Sequence, residues 1–184
     1  MTGYLIALGS NLPSGQYDSV AILNEALEQL ARLQGITVDR VSGWFRTPAW
    51  PAGSGPDFVN GAALLRSSNT PQEILKTLHR VEAGFGRERR VRWGARTCDL
   101  DLIGAEDAVL PNLETLTAWI NHGPDPERVP EDLLLPHPRL HERGFVLVPL
   151  HEVAPDWVHP VLHLTVAEMM SALPDAEIEA VQRL

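Results

Sequence analysis

The sequence is poor in cysteine and has no long apolar run. Cys98 is the only cysteine among 184 residues, so no disulfide can form within the chain. We therefore expect a cytoplasmic protein in which Cys98 is a small buried residue. No stretch approaches the roughly 18 consecutive apolar residues of a transmembrane helix, and the N-terminal residues lack the basic and apolar regions of a signal peptide. We expect no contact with a membrane.

Positive charge is also scarce, since the formal net charge is −9 at pH 7. A general nucleic-acid-binding domain is basic, so this balance argues against that class. The basic residues are instead concentrated locally, with five arginines and one glutamate in residues 87–96. A local basic site on an acidic protein suits a small anionic ligand, although a solvated surface or a nucleic-acid patch would have the same composition.

The arginine-rich segment leads directly into two aspartates spaced as Asp-x-Asp, Asp99 and Asp101. If residues 97–103 form a strand, both carboxylates lie on one face and the residues between them point into the core. Mg²⁺ prefers oxygen ligands of this kind and shares them with phosphates. Arginine binds phosphate oxygens through two parallel hydrogen bonds. The pattern therefore predicts a metal–phosphate site for phosphoryl transfer, with a solvated acidic strand as the alternative.

Hydrophobic periodicity and turn residues predict the order of secondary structure. Strands are predicted at residues 4–8, 36–47, 57–65 and 97–103, and helices at residues 19–33 and 71–84. This β-α-β-β-α-β order predicts an α+β fold, a ferredoxin-like antiparallel sheet with helices packed on it. A surface insertion with a short helix is predicted over residues 104–132. A helix in the C-terminal region is predicted over residues 165–173. We expect all 184 residues to form one domain.

Six motifs occur in one order along nearly the whole chain, except residues 104–132. They are ALGSNL at 7–12, FRTP at 45–48, DFVN at 57–60, RWGARTCDLD at 92–101, LPHP at 135–138 and RGF at 143–145. Through these motifs the chain resembles the 6-hydroxymethyl-7,8-dihydropterin pyrophosphokinase family. The resemblance implies an ATP-dependent diphosphokinase of folate biosynthesis. Such an enzyme transfers the pyrophosphoryl group of ATP to the hydroxymethyl group of a reduced pterin and releases AMP.

The resemblance implies a role for each matching residue. Asp99 and Asp101 would bind two Mg²⁺ ions, and Arg87 and Arg96 would join them in catalysis by clamping phosphates. ATP contacts are implied for Leu75, Glu82, Arg89, Arg92, Leu102, His137 and Arg143. Pterin contacts are implied for Thr47, Pro48, Trp50, Phe58, Asn60, Trp93 and Phe145. Phe58 and Phe145 would stack on the pterin and Asn60 would recognise its edge, whereas without the resemblance both phenylalanines would be interpreted as core aromatics.

The chain departs from the family pattern in several places. Pro138 stands where an aromatic usually follows the histidine, and Ala49 and Trp50 replace common residues of a pocket loop. The arginine loop is shorter than usual between residues 89 and 93, and the insertion over residues 104–132 is longer than the usual hairpin.

Other functions are compatible with parts of the sequence. One alternative is another Mg²⁺-dependent nucleotidyl or phosphoryl transferase on the same sheet. An RNA-binding module is a second, but it would need a basic domain and aromatic residues on the central strands. His137 and His141 are spaced as a zinc-binding pair, yet the sequence suggests no third ligand. We expect a monomer whose partners are ATP and a reduced pterin, and not nucleic acid.

Overall fold

An antiparallel sheet forms the centre of the fold. The structure is a computed structural model that describes residues 1–14, 16–49, 55–86, 97–123 and 129–184. Its described strands are β1 (Thr2–Ser10), β2 (Ile36–Val41), β3 (Phe45–Thr47), β4 (Phe58–Ser67), β5 (Asp99–Ala105) and β6 (Gln182–Arg183). They lie in the order β5-β1-β4-β3-β6, with β2 beside β4 on the same edge as β3. This arrangement confirms the predicted α+β fold.

Helices follow the strands in the predicted order. The described helices are α1 (Ser19–Arg32), α2 (Pro71–Gly84), α3 (Leu113–His122), α4 (Gly144–Val153), α5 (Val166–Ser171) and α6 (Asp175–Glu179), with a 3₁₀ turn at Leu140–Glu142. Side chains define where several of them begin. The carboxylate of Asp18 accepts from the N–H of Ala21 at 2.8 Å, and Thr70 and Glu73 form a reciprocal capping box on α2. Such caps satisfy N–H groups that a helix leaves unpaired at its start.

The two faces of the sheet are covered by different helices. On the first face, α1 and α2 cover alternate residues of β1 such as Ile6 and Leu8. On the second face, α4 and α5 cover Leu5, Ala62 and Ile103. Because side chains alternate along a strand, every second residue of β1 and β4 belongs to this second face. The same holds for β5 as far as Ile103, where the register with β1 shifts.

The prediction of a single strand over residues 36–47 is wrong, because a break separates β2 from β3. Ser42 donates its backbone N–H to the carbonyl of Ala62, and its hydroxyl accepts from the N–H of Ala62, both at 2.9 Å. The ring of Trp44 lies over Gly61, where even a Cβ would overlap it. Side-chain contacts with β4 therefore interrupt the strand, and apolar periodicity gives no sign of them.

The strand predicted over residues 97–103 is also displaced, since β5 begins and ends two residues later. Gly104 belongs to this strand, so the insertion predicted over residues 104–132 begins at Glu106. The ring of Trp157 lies over Gly104, 3.0 Å from where a Cβ would stand. Close packing therefore accounts for a glycine that sequence alone interprets as a strand end.

The insertion and the C-terminal region each contain short helices. Within the insertion, α3 has one fully buried residue, Leu116, while Leu113 is 59% exposed. The helix predicted over residues 165–173 is α5, whose start is capped by Thr165. The sequence pattern gives no indication of α6 and β6. Among the described helices, none is long and apolar enough to cross a membrane.

Candidate active site

A polar patch interrupts the second face of the sheet. It consists of Thr47 on β3, Asn60 on β4, and Asp99 and Asp101 on β5. In the register of the sheet, Gly9 of β1 pairs with Asn60 on one side and with Asp99 on the other. Directly paired residues of antiparallel strands point to the same face. The amide and the carboxylates therefore face one region of space.

The two aspartates alternate with core residues as predicted. Asp101 is exposed and Asp99 is partly exposed, whereas Cys98, Leu100 and Leu102 are buried. Two carboxylates so close together repel each other, and a divalent cation relieves that repulsion. Within the described part of the chain, no three His, Cys, Asp or Glu side chains are grouped to hold a metal. Mg²⁺ bound through one or two carboxylates commonly takes its other ligands from phosphate or water.

Gly9 leaves space between the carboxylates and the amide. A Cβ at this position would lie 3.3 Å from Oδ1 of Asn60 and 3.9 Å from Cβ of Asp99. Since neighbouring strands are about 4.8 Å apart, Asn60 and Asp99 are separated by about 10 Å across β1. No role was predicted for Gly9 from the sequence. A glycine inside an apolar strand was the signal that could have identified it.

Asn60 is held in one orientation by its neighbour. Its Nδ2 donates to Oγ1 of Thr47 at 2.7 Å, and both residues are buried. Its carbonyl oxygen Oδ1 is then the atom beside Gly9. The two predicted stacking residues remain accessible, because Phe58 is half-buried and Phe145, in the first turn of α4, is 40% exposed. Neither is a fully buried core aromatic.

Glu82 forms a hydrogen bond with the backbone between the two aspartates. This residue of α2 is 1% exposed, and its Oε1 accepts from the backbone N–H of Leu100 at 2.8 Å. Leu102 is 4% exposed in the core on the first face, and Leu75 packs against the same core. A ligand could therefore reach Leu102 only through its backbone.

His137 and Arg143 belong to one segment that docks beside β5. The backbone N–H of His137 donates to the carbonyl of Ile103 at 2.8 Å. Its Nδ1 accepts from the N–H of Arg139 at 3.1 Å, so the proton of the neutral ring is on Nε2. Burial, together with the positive charge of Arg143, lowers the pKa of His137 from 6.5 to about 3. The imidazole is therefore a neutral hydrogen-bond donor near pH 7.

The other predicted site residues divide into two groups. Pro48 is exposed and directly follows β3. Six residues lie outside the described part of the chain, namely Trp50, Arg87, Arg89, Arg92, Trp93 and Arg96. In sequence, residues 87–96 immediately precede the segment that leads into β5, and Trp50 follows β3.

Two clefts lie at the opposite end of the sheet and are lined by residues other than the polar patch. One, of about 280 Å³, lies between Arg40, Glu106 and Trp157, and another, of about 360 Å³, lies near Tyr4. In the first cleft, Nη1 of Arg40 donates to the carbonyl of Val153 at 3.2 Å, and Nε1 of Trp157 donates to that of Glu106 at 2.8 Å. Each bond joins parts of the chain that are far apart in sequence, which indicates a structural role for both groups.

Comparison with known proteins identifies similar chains. A family model described as 7,8-dihydro-6-hydroxymethylpterin-pyrophosphokinase matches residues 5–155, a range that includes the polar patch. A Synechocystis protein named 2-amino-4-hydroxy-6-hydroxymethyldihydropteridine pyrophosphokinase is 38% identical over 168 residues, 91% of this chain and 74% of that protein. A Methylorubrum extorquens protein of the same name is 36% identical over 182 residues, 99% of this chain and 100% of that one.

Solved structures include chains with a similar fold. A crystal structure of Plasmodium falciparum HPPK-DHPS superimposes with a TM-score of 0.68 at 14% identity. The match covers 99% of this chain but only 44% of the Plasmodium chain. The likeness concerns the fold alone, and more than half of that longer protein has no counterpart here.

Proposed function

The chain belongs to the 7,8-dihydro-6-hydroxymethylpterin-pyrophosphokinase family, and we propose that the polar patch is where it carries out that family's reaction. The reaction transfers a pyrophosphoryl group from ATP to hydroxymethyldihydropterin in folate biosynthesis. One observation carries the proposal: Gly9 of β1 pairs with Asp99 on one neighbouring strand and with Asn60 on the other, so the three residues lie side by side across the sheet. It brings groups suited to metal-bound phosphate within about 10 Å of groups suited to a flat polar ring.

On the phosphate side, we assign two Mg²⁺ ions to Asp99 and Asp101. The donor set fits, since both carboxylates lie on one accessible face of β5. Bound Mg²⁺ would neutralise triphosphate charge and orient the phosphates toward the accepting hydroxyl. Arg87 and Arg96 clamp the transferred phosphates, while Arg89 and Arg92 contact the rest of the nucleotide.

His137 and Arg143 complete the phosphate contacts in this proposal. Nε2–H of His137 donates to a phosphate oxygen, and the guanidinium of Arg143 supplies positive charge. A neutral donor beside an arginine avoids the repulsion that two adjacent cations would have before ATP binds. The guanidinium of Arg143 lies 5.7 Å from the centroid of the Phe145 ring, which links the phosphate contacts to the pterin contacts.

Buried residues of α2 and β5 position these groups. Glu82 fixes the backbone N–H between the two aspartates, so the carboxylates keep their spacing before a ligand binds. Leu75 and the backbone of Leu102 border the nucleotide. Because Glu82 is almost fully buried, it acts through β5 in this assignment.

On the pterin side, Asn60 recognises the edge of the ring. One N–H of its Nδ2 bonds to Thr47, and this bond orients Oδ1 to accept from an N–H of the pterin. Phe58 and Phe145 stack on the two ring faces, which agrees with their partial exposure. The remaining wall of the pocket is assigned to Pro48, Trp50 and Trp93.

Product analysis tests the proposed function. ATP, Mg²⁺ and 6-hydroxymethyl-7,8-dihydropterin should give AMP and the pterin diphosphate in equal amounts. ADP or free pyrophosphate would instead indicate another Mg²⁺-dependent phosphoryl or nucleotidyl transferase. Asn60→Ala should raise the KM for the pterin by about tenfold or more without a comparable change for ATP, since a recognition group is lost. Asn112→Ala, at the exposed cap of α3, is the matched control.

A further inference from the structure

Residues 174–184, here called the C-terminal segment, contact two elements that border the proposed pterin pocket. The segment contains α6 and β6, to which the proposed function assigns nothing. Its β6 pairs with β3, with Arg183 opposite Phe45. The backbone N–H of Leu184 also donates to the carbonyl of Trp44 at 2.9 Å. The C-terminal segment thus extends the sheet beyond β3.

Arg183 is the centre of the contact with β3. Its Nη1 forms an ion pair with Oε1 of Glu152 on α4, and its guanidinium lies 5.8 Å from the ring centroid of Phe45. Oε2 of Glu152 accepts from the backbone N–H of Gly43 at 2.7 Å. A Cβ on Gly43 would lie 2.8 Å from Nη2 of Arg183, so the glycine leaves room for the guanidinium. Together these contacts fix the break from which β3 begins.

The C-terminal segment also packs on the start of α4. A Cβ on Gly144 would overlap the carbonyl oxygen of Glu177 in α6 and would lie 3.5 Å from Cγ2 of Val181. Glycine is therefore required for this close approach. Because Gly144 immediately precedes Phe145, the backbone of α6 rests against the turn that bears this aromatic ring.

We infer that the C-terminal segment sets the spacing between two walls of the pterin pocket, an inference that rests on the proposed function. One wall is β3 with β4, where Phe45 is the register partner of Asn60. The other wall is Phe145 on α4. The segment contacts the first wall through Arg183 and the second through Glu177. Arg183 is thus a positioning residue for pterin binding, because stacking and edge recognition both require a fixed separation.

Arg183→Ala tests the inference, since it removes the ion pair and the ring contact but keeps the backbone pairing. We expect the KM for the dihydropterin to rise about 5- to 20-fold and the KM for ATP to change less than about twofold. Arg183→Lys keeps the charge and should recover most of the loss. Arg32→Ala is the matched control, because Arg32 on α1 has an equally exposed side chain, 64%, and an ion pair with Glu28.

Gly144→Ala tests the second contact through a different element. The added methyl displaces α6, so the pterin KM should rise again, and by a larger factor than the ATP KM. The inference is overturned if Arg183→Ala keeps the wild-type pterin KM, or if both KM values rise equally. If Gly144→Ala does not fold, the Arg183 variants decide alone. A wild-type protein that makes no AMP from ATP and pterin would contradict the proposed function instead.

Discussion

The two ends of the second sheet face are made by the same strands but have different properties. At the closed end, Leu5 and Ile103 are each 2% exposed under α4 and α5. At the open end, the same strands present Gly9 and Asp99, with Asn60 beside them. Alternation along a strand determines which face a residue occupies. Whether that position belongs to the core or to a site depends on where the covering helices lie.

This contrast predicts that stability and activity depend on opposite ends of the same strands. Substitutions at the closed end should lower stability with little effect on turnover. Substitutions at the open end should lower turnover with little effect on stability, because these residues bury little apolar surface.

Asp101→Ala at the open end is expected to have the largest effect, a loss of turnover of about 10³-fold or more, because a metal ligand is removed. Asp101 is exposed, so the melting temperature without Mg²⁺ should hardly change. Steady-state AMP formation and thermal melting measure the two effects. Asp107→Ala, in the exposed turn after β5, should change neither. Near-normal turnover of Asp101→Ala would contradict the metal assignment.

Leu5→Ala at the closed end should lower the free energy of unfolding by about 2–5 kcal/mol, because a buried side chain leaves a cavity. At a temperature where the variant stays folded, its turnover should remain within about threefold of wild type. Urea unfolding and steady-state kinetics measure this, with Leu113→Ala, 59% exposed, as the control. If Leu5→Ala lowered turnover without lowering stability, the proposed difference between the two ends would be contradicted.

Acidification should destabilise the fold through two histidines. The pKa of His137 is lowered from 6.5 to about 3 and that of His159 from 6.5 to about 4. Burial is the largest cause of both shifts. Between pH 6.5 and these values the unfolded chain binds more protons, so stability falls as pH falls. The slope is up to about 1.4 kcal/mol per pH unit for each histidine. His159→Gln should flatten the pH dependence measured by urea unfolding, and an unchanged slope would contradict the assignment.

Shortening the insertion should have only a small effect on activity. Replacing residues 112–128 with a short Gly/Ser linker should keep turnover within about tenfold, because closing a modest loop costs little entropy. Stability should fall, since Leu116 is fully buried. Kinetics and melting of the shortened chain measure both. A folded variant without activity would show that the insertion contributes to the site.

Local patterns in the sequence were sufficient to predict the order of elements and the alternation of Asp99 and Asp101 with core residues. They were not sufficient for features that depend on distant partners. The break before β3 depends on Ser42 and Trp44 meeting β4, and the space at Gly9 depends on which strands flank β1. The pairing of β6 with β3 joins residues far apart in the chain. Register between distant segments is a property of the folded sheet, so periodicity could not reveal it.

The location of the metal tests the central claim most directly. Mn²⁺ can replace Mg²⁺ in the presence of a non-hydrolysable ATP analogue, and it broadens the NMR signals of nearby backbone amides. We predict the strongest broadening at Gly9 and residues 99–101, and little at Glu106, about 15–20 Å away along β5. The broadening should disappear in Asp101→Ala. Strongest broadening around Glu106 and Asp156 would place the metal at the closed end and contradict the account.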